Sequence, residues 1–387
     1  MNIGLNLVGF IPGTMGGIET YLRNLVHSLQ KIDQENSYVL LCDDHYAKEI
    51  QIFNDSFTFR SVNYTQPSIL WLVRGILRKM TKIDVLRPVF NRLKLDIIHH
   101  PFTILNPMRT KIPSVLTFVD MQHEFFPQFF SPAEMKMRKE FYRPSAEQAT
   151  RIIAISGHVK SSLAERYGIS PDKIDVVYLG YDERYRVYNN EDVLQTTRSK
   201  YELNRPFLYY PGATWPHKNH KTLLAALNRM TERYQFDGQL VLTGIAKKSY
   251  SDIIGEIKRL GLGDKVKVLG YLPYEELPYL YNLARALVFP SLFEGFGIPL
   301  VEAMACGCPI ACSNTTSIPE VVGDAGVFFD PTSPEDMADK IWQLWKDDER
   351  LKEMRKRGLE RAKLFSWDET ARKTIETYRK TIEGARS

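Results

Sequence analysis

The chain has 387 residues, 44% of them hydrophobic and 25% charged, with a formal net charge of +5. That length is too great for one ordinary core and implies two domains, while the composition is that of a soluble globular protein and not of a disordered or fibrous one. So small a positive excess does not call for nucleic acid, but it leaves room for an anionic ligand or an anionic membrane surface.

The opening run "MNIGLNLVGF" lacks a basic leader and leads straight into a Gly-bearing loop, so it reads as a first strand and not as a signal peptide. No apolar run approaches the ~18 residues that would cross a bilayer, and a cytoplasmic protein is expected, with peripheral contact to the inner face of a membrane left open. Further along, "YVLLC", "IIHH", "SVLTFV", "RIIAIS" and "IDVVYLG" read as buried strands, with "ETYLRNLVHSLQKI" and "HVKSSLAERYG" as helices among them. Short apolar runs alternating with helix-period segments predict parallel α/β architecture.

The stretch 182–206 is polar and poor in aliphatic residues, and it reads as a linker. Beyond it the pattern resumes. The strands are "FLYYPG", "QLVLTG", "VKVLGY", "ALVFP", "PIACS" and "GVFFD", and the helices are "HKTLLAALNRMTERY", "YSDIIGEIKRLG", "YEELPYLYNLARA" and "PEDMADKIWQLWKD". Each half opens with strand, glycine-containing loop and helix, and two such open sheets facing one another would bind ligand at the carboxyl ends of their strands. Ser333 and Pro334 start one late helix, and Ser366 with Glu369 has capping-box spacing before a separate last one.

Cysteines 42, 306, 308 and 312 do not form a disulfide framework, and the last three lack the paired C-x-x-C spacing of zinc sites. They read as small buried residues. The chain contains no G-x-G-x-x-G fingerprint, no P-loop and no Asp-x-Asp pair.

The chemistry concentrates in "FPSLFEGFGIPLVEAMACGCPIACS", where Glu294 and Glu302 stand eight residues apart. Gly295, Gly297 and Pro299 forbid one continuous helix, so a loop should give way to a short helix from about Ile298 to Cys306, stopped by Gly307. Such a helix start at the end of a strand attracts phosphate, and the two glycines allow close approach. Glu302 suits two neighbouring hydroxyls of a ribose, while Glu294 would face what lies beyond the phosphates. A tight turn carrying an exposed glutamate is the plainer reading of the same residues. Lys218, between the Gly212 loop and a helix, suits a diphosphate or simply solvent, and Gly16 and Gly17 form a second phosphate-compatible turn.

The run "FEGFGIPLVEAMACGCPI" resembles the E-x7-E signature of retaining GT-B glycosyltransferases of the group 1, or family 4, type. In order, "GGIE", "DMQHEFFPQFFS", "AISGHVKSSL", "VVYLGYD", "YYPGATWPHKNHKTLLAAL", "LVLTG", "VKVLGYL" and "FSWDETA" support the resemblance over nearly the whole chain. The implied fold is two Rossmann-like domains facing across a cleft. The acceptor domain would comprise 1–184 together with a last helix, 367–387, that crosses back to it, and the donor domain would be 185–366. The resemblance implies a nucleotide-sugar donor, with no cofactor and no metal. Glu302 would hold the ribose and Glu294 a hydroxyl of the transferred sugar. The backbone of Gly295, Phe296, Gly297 and Ile298 would follow the diphosphate, with Lys218 on the phosphates and Gly212 beside them. Gly16 and Gly17 would close from the other domain, and Tyr271 would meet the base.

Two departures stand out. Ala213 occupies a place where many relatives have arginine, which shifts phosphate neutralisation to Lys218 with help from His217. Val119 stands where many have the active-site histidine, and His123 in "DMQHEFF" is the nearest candidate for a sugar-contacting, catalytic role, a pattern of mannosyl- or rhamnosyltransferase-like members. The expected activity is transfer of a hexose, namely mannose from GDP-mannose, to a glycan or lipid-linked glycan. A UDP-sugar donor and an inert glycan- or nucleotide-binding module are the alternatives. The segment 69–95, with Trp71, several leucines, Arg74, Arg78, Lys79, Lys82, Arg87, Arg92 and Lys94, reads either as a basic amphipathic surface for anionic lipid or as a solvated helix with a core-facing stripe.

Overall fold

The structure, a computed structural model, describes residues 1–62, 72–77 and 84–386. It divides into two compact units, one formed by Met1–Gly180 together with the last helix, the other by Tyr181–Ser366. The boundary falls before Tyr181 and not at 184/185, because the segment that follows belongs to the second core. Tyr185 packs its ring 5.6 Å from Tyr274 and 5.9 Å from Tyr281.

In the first unit, strands β1 (Asn2–Asn6), β2 (Ser37–Cys42), β3 (Phe57–Ser61), β4 (Ile97–His100), β5 (Ser114–Phe118), β6 (Arg151–Ala154) and β7 (Ile174–Val176) make one sheet in the order β3-β2-β1-β4-β5-β6-β7. Every pairing is parallel. Its central strands are buried on both faces, as helix-covered parallel sheets require, which is why they are largely apolar, although β4 also encloses His99 and His100. Edge strand β3 was not expected. In "FTFRS" only Phe57 is buried, so the sequence carries little apolar signal.

The helix Gly17–Ile32 lays Leu22, Leu25, Val26 and Leu29 into this core. Beside it runs the last helix, Trp367–Arg386, tied to the same unit by Lys31 to Asp368 at 2.8 Å, by the Thr370 hydroxyl on the Tyr178 carbonyl at 2.7 Å, and by the Tyr378 hydroxyl against His99 Nδ1 at 2.7 Å. Sequence reading also passed over the helix Pro132–Gln148, which Ser131 and Glu134 start with a reciprocal capping box and which carries Pro144 inside. No helix among the described residues is long and apolar enough to cross a membrane.

Of the segment expected to form a basic amphipathic surface, Trp71, Arg78, Lys79 and Lys82 lie outside the described residues. Residues 72–77 are helical and turn Leu72, Val73 and Ile76 to solvent. Arg74 is no surface charge. It is 7% exposed, paired with Asp84 at 2.6 Å and bonded to the Asn106 side chain. Leu86 and Phe90 point into a core cluster with Val8, Leu41 and Ile98.

The second unit contains β8 (Phe207–Pro211), β9 (Gln239–Thr243), β10 (Val266–Gly270), β11 (Ala286–Phe289), β12 (Ile310–Ser313) and β13 (Gly326–Phe329), again all parallel, in the order β10-β9-β8-β11-β12-β13. The stretch expected to be a linker, 182–206, is part of this unit and holds the helix Glu191–Lys200, capped by the Asn190 side chain. Sequence order reverses between β8 and β11. A switch point at the carboxyl edge of an open α/β sheet is where such folds bind ligands.

Candidate active site

The loops after β8 and β11 are laced together. Leu292 N–H donates to the His217 carbonyl at 2.8 Å, and the Asn219 side chain donates to the carbonyls of Pro290 at 3.0 Å and Pro331 at 2.8 Å. The buried Tyr210 hydroxyl donates to the Lys218 carbonyl at 2.7 Å. Asn219 takes φ +60° and precedes the helix His220–Tyr234, so the chain turns sharply just past Lys218. A third loop closes in after β9: a Cβ on Gly244, which has φ +131°, would stand 2.6 Å from the carbonyl carbon and oxygen of Gly212. Only glycine fits there.

These loops bring Lys218 and Glu294 into contact, Nζ to Oε1 at 2.6 Å, with 16% and 12% of the two side chains exposed. The Glu294 backbone is held as well. Its N–H donates to the Thr316 hydroxyl at 3.2 Å, and the Ser317 hydroxyl donates to the carbonyls of Glu294 at 3.0 Å and Phe296 at 3.2 Å. Phe296 is buried, so its backbone and not its ring is what the loop offers. His217 differs from expectation. Burial first, then the Lys218 charge, lowers its pKa to about 4, so it adds no positive charge near neutrality.

From Gly297, at φ +98°, the helix Ile298–Ala305 begins, and Gly307 follows it at φ +67°. The helix follows the loop after β11 that carries Glu294. Glu302 sits one and a bit turns further in, 6% exposed, and accepts a hydrogen bond from the Tyr281 hydroxyl at 2.9 Å. Burial pushes its carboxyl up to about 7, against the lowering effect of the Tyr281 and Tyr185 hydroxyls. Tyr271 follows β10 and is 69% exposed. Gly212, Lys218, Tyr271, Glu294, Gly295, Phe296, Gly297, Ile298 and Glu302 thus all belong to one unit, in or beside the loops at the carboxyl edge of its sheet.

Gly16, Gly17 and His123 belong to the other unit. Gly16 has φ +55° and caps the helix Gly17–Ile32 in an exposed turn, where the Gly13 N–H donates to Glu19 at 2.7 Å. His123 is enclosed. It is 1% exposed, with Nε2 3.0 Å from the Tyr167 hydroxyl and its ring 5.0 Å from Tyr142. Burial, then Arg138 and Lys139, lower its pKa to about 4, so it is a neutral imidazole and not a base poised near pH 7. Its Nδ1 is buried without a hydrogen-bond partner among the described residues.

The four cysteines are free and buried, and burial pushes the thiol of Cys308 up to about 12. Among the described residues no group of three or more His, Cys, Asp or Glu is gathered as metal ligands would be.

A family model described as glycosyl transferases group 1 matches residues 195–361, and one described as glycosyltransferase family 4 matches residues 15–185. O-antigen chain mannosyltransferase B of Escherichia coli is 32% identical over 73% of this chain and 74% of that protein. The chain belongs to the group 1 glycosyltransferases. It is also similar to the serotype-specific mannosyltransferase WbdA of Escherichia coli, 30% identical over 64% of this chain but only 31% of that larger protein. Sucrose-phosphate synthase from Thermosynechococcus elongatus superimposes with a TM-score of 0.78 over 99% of this chain and 100% of that one at 20% identity, a likeness of fold. The fold is therefore GT-B, and this glycosyltransferase carries its E-x7-E pair at the switch point of its second sheet.

Several residues around the pair were not picked out from sequence. Thr316 and Ser317 hold the Glu294 loop from the β12 side, Asn219 pins the Lys218 loop, and Tyr185 and Tyr281 flank Glu302. The hydroxyl-rich "SNTTS" directly after a buried strand was a usable signal for the first two. For Tyr185, inside a polar stretch, there was none.

Proposed function

We propose that this glycosyltransferase moves mannose from GDP-mannose, with retention of anomeric configuration and without a metal, to a glycan or lipid-linked glycan. One observation carries the reading: Lys218 touches Glu294, and the loop that carries Glu294 runs into the helix Ile298–Ala305 that carries Glu302. That succession matches diphosphate, sugar and ribose. The leaving group is a nucleoside diphosphate, and Lys218 with the first-turn amides of Ile298–Ala305 would stabilise its growing charge. Glu294 would accept from a hydroxyl of the transferred sugar, and Glu302 from the ribose diol. The pair is not read as a glycosidase pair, in which two carboxylates flank the scissile bond and neither holds a ribose. The acceptor hydroxyl would attack the face from which the diphosphate leaves.

The choice of mannose is supported by the names of the mannosyltransferases to which the chain is similar. His123 enters the proposal as a neutral hydrogen-bonding partner through Nδ1. Gly16 and Gly17 enter it as a turn for the diphosphate, and Tyr271 as a contact for the base. The exposed Leu72, Val73 and Ile76 support peripheral contact with lipid.

Release of GDP and of UDP from their mannose, glucose and galactose conjugates, with extracts of lipid-linked glycan as acceptor, tests the reading. GDP-mannose should be consumed, excess EDTA should leave the rate unchanged, and the new linkage should keep the donor's anomeric form. Turnover of a UDP-sugar alone would overturn the donor choice, and tight nucleotide binding with no turnover would make the chain a binding module. Flotation with anionic and neutral vesicles tests the lipid contact, which absence of binding to both would remove.

A further inference from the structure

Glu302 is surrounded by tyrosines that come from separate parts of the second unit. Tyr209 lies on β8, Tyr281 on the helix Leu277–Leu283, Tyr274 just before that helix, and Tyr185 in the segment that begins the unit. Their rings interlock edge to face: Tyr209 on Tyr281 at 5.2 Å, Tyr281 on Tyr185 at 5.9 Å, and Tyr185 on Tyr274 at 5.6 Å. Tyr185, Tyr209 and Tyr281 are all but inaccessible to solvent. The Tyr281 hydroxyl donates to Glu302 Oε2 at 2.9 Å. The Tyr185 hydroxyl is buried beside the carboxylate, with no well-aligned partner among the described residues, and its nearness favours the ionised form.

Two other ionisable groups face the carboxylate. Asp182 disfavours its charge but is itself held by Arg184 at 2.8 Å. The Cys306 thiol, at the end of the same helix, is pushed far up by burial and stays neutral. No cation supplies a counter-charge to Glu302 among these neighbours. A lysine or arginine in their place would fix the charge, yet it would occupy the oxygen lone pairs a ligand needs. A carboxylate offers about four acceptor positions, and phenol donors leave part of that set open.

We propose that Tyr281, with Tyr185 packed against it, is a positioning residue for Glu302, orienting its carboxylate toward a vicinal diol of the ligand. This rests on the reading of Glu302 as the group that binds the ribose. Burial alone would keep Glu302 protonated around neutrality, and a protonated carboxyl accepts poorly from two hydroxyls. The Tyr281 donor counters that, with the Tyr185 hydroxyl close by. Losing either should move the onset of ligand binding to higher pH, a shift that a mere packing role would not produce.

Calorimetric titration of the full chain with GDP, and with UDP in parallel, between pH 5.5 and 8.5 tests this on the wild type, Tyr281→Phe, Tyr185→Phe and Glu302→Gln. Comparison between variants removes the titration of the nucleotide's own phosphate. The expected result for Tyr281→Phe is affinity lower by roughly tenfold at pH 6.5, recovering toward wild type at pH 8.5. Tyr185→Phe should move the same way by a smaller factor, and it serves if Tyr281→Phe does not fold. An unchanged pH midpoint in both, with or without a uniform loss of affinity, would overturn the proposal while a weakened Glu302→Gln left the ribose reading intact. Unchanged affinity in Glu302→Gln would overturn both together.

Discussion

Lys218 and Glu294, expected to hold different parts of a ligand, hold each other in the structure, Nζ to Oε1 at 2.6 Å. The contact compensates for the burial of Glu294. Glu294 is 12% exposed and would otherwise be a poorly solvated charge. A diphosphate is a stronger partner for the lysine than one carboxylate, so ligand binding should exchange one pairing for the other and free Glu294 to accept a sugar hydroxyl.

The pair is expected to behave as a unit. Lys218→Ala should destabilise the donor-free protein by about 1–3 kcal/mol, because it leaves a partly buried carboxylate alone. The double variant Lys218→Ala/Glu294→Ala should recover part of that loss, which chemical denaturation of all four members of the cycle measures. In turnover assays Lys218→Ala should raise KM for the donor and Glu294→Ala should mainly lower kcat.

Glu302 should make the protein sensitive to base. Its carboxyl is raised from 4.5 to about 7 in the folded state. The folded chain therefore binds more protons than the unfolded one between those values, and stability falls as pH rises through that window, by on the order of 3 kcal/mol from this group. Melting temperature measured from pH 5 to 8 should fall less steeply in Glu302→Gln than in wild type.

The buried histidines act in the opposite sense. His123 and His217 are lowered to about 4, and His99, His100 and His220 to about 3, each mainly by burial. Their folded pKa values lie below 6.5, so the stability they confer is present above pH 6.5 and is lost as pH falls through the folded values. His123→Phe should flatten the acid side of the stability profile. Activity between pH 6 and 8 should show no inflection that disappears with His123.

Gly244→Ala should be severe although it lies on no chemical group. The added Cβ would stand 2.6 Å from the Gly212 carbonyl at a backbone φ of +131°. Strain and overlap together should cost about 2–4 kcal/mol, with weaker nucleotide affinity as the Gly212 loop is displaced. Urea denaturation and calorimetry check the two effects separately.

Both sheets were legible because parallel strands covered on both sides must be largely apolar, as the buried Ile152, Ile153 and Ala154 and the strand "ALVF" are. Strand "FTFRS" was not, since an edge strand with four exposed residues has no such requirement. The start of the helix at Ile298 and its stop at Gly307 could be read from Gly, Pro and Gly. That Lys218 meets Glu294 could not. Their contact depends on β8 lying next to β11, a fact of strand order and not of spacing. Tyr185 was hidden for a related reason: "YDERYRVYNN" is polar along the chain, and of its three tyrosines Tyr185 is packed against partners supplied far downstream.

The last helix belongs to the first unit, so Tyr181–Ser366 is topologically an insertion within it. During synthesis the second unit has every one of its strands before the first is complete. Until Trp367–Arg386 leaves the ribosome, the hydroxyl that meets His99 and the ring that meets Tyr21 are missing, and one flank of the helix Gly17–Ile32 stays bare. A truncation at 366 should thus spare the nucleotide-binding unit and expose apolar surface on the other, and an amino-terminal nascent chain should depend on chaperones for longer than its own length suggests.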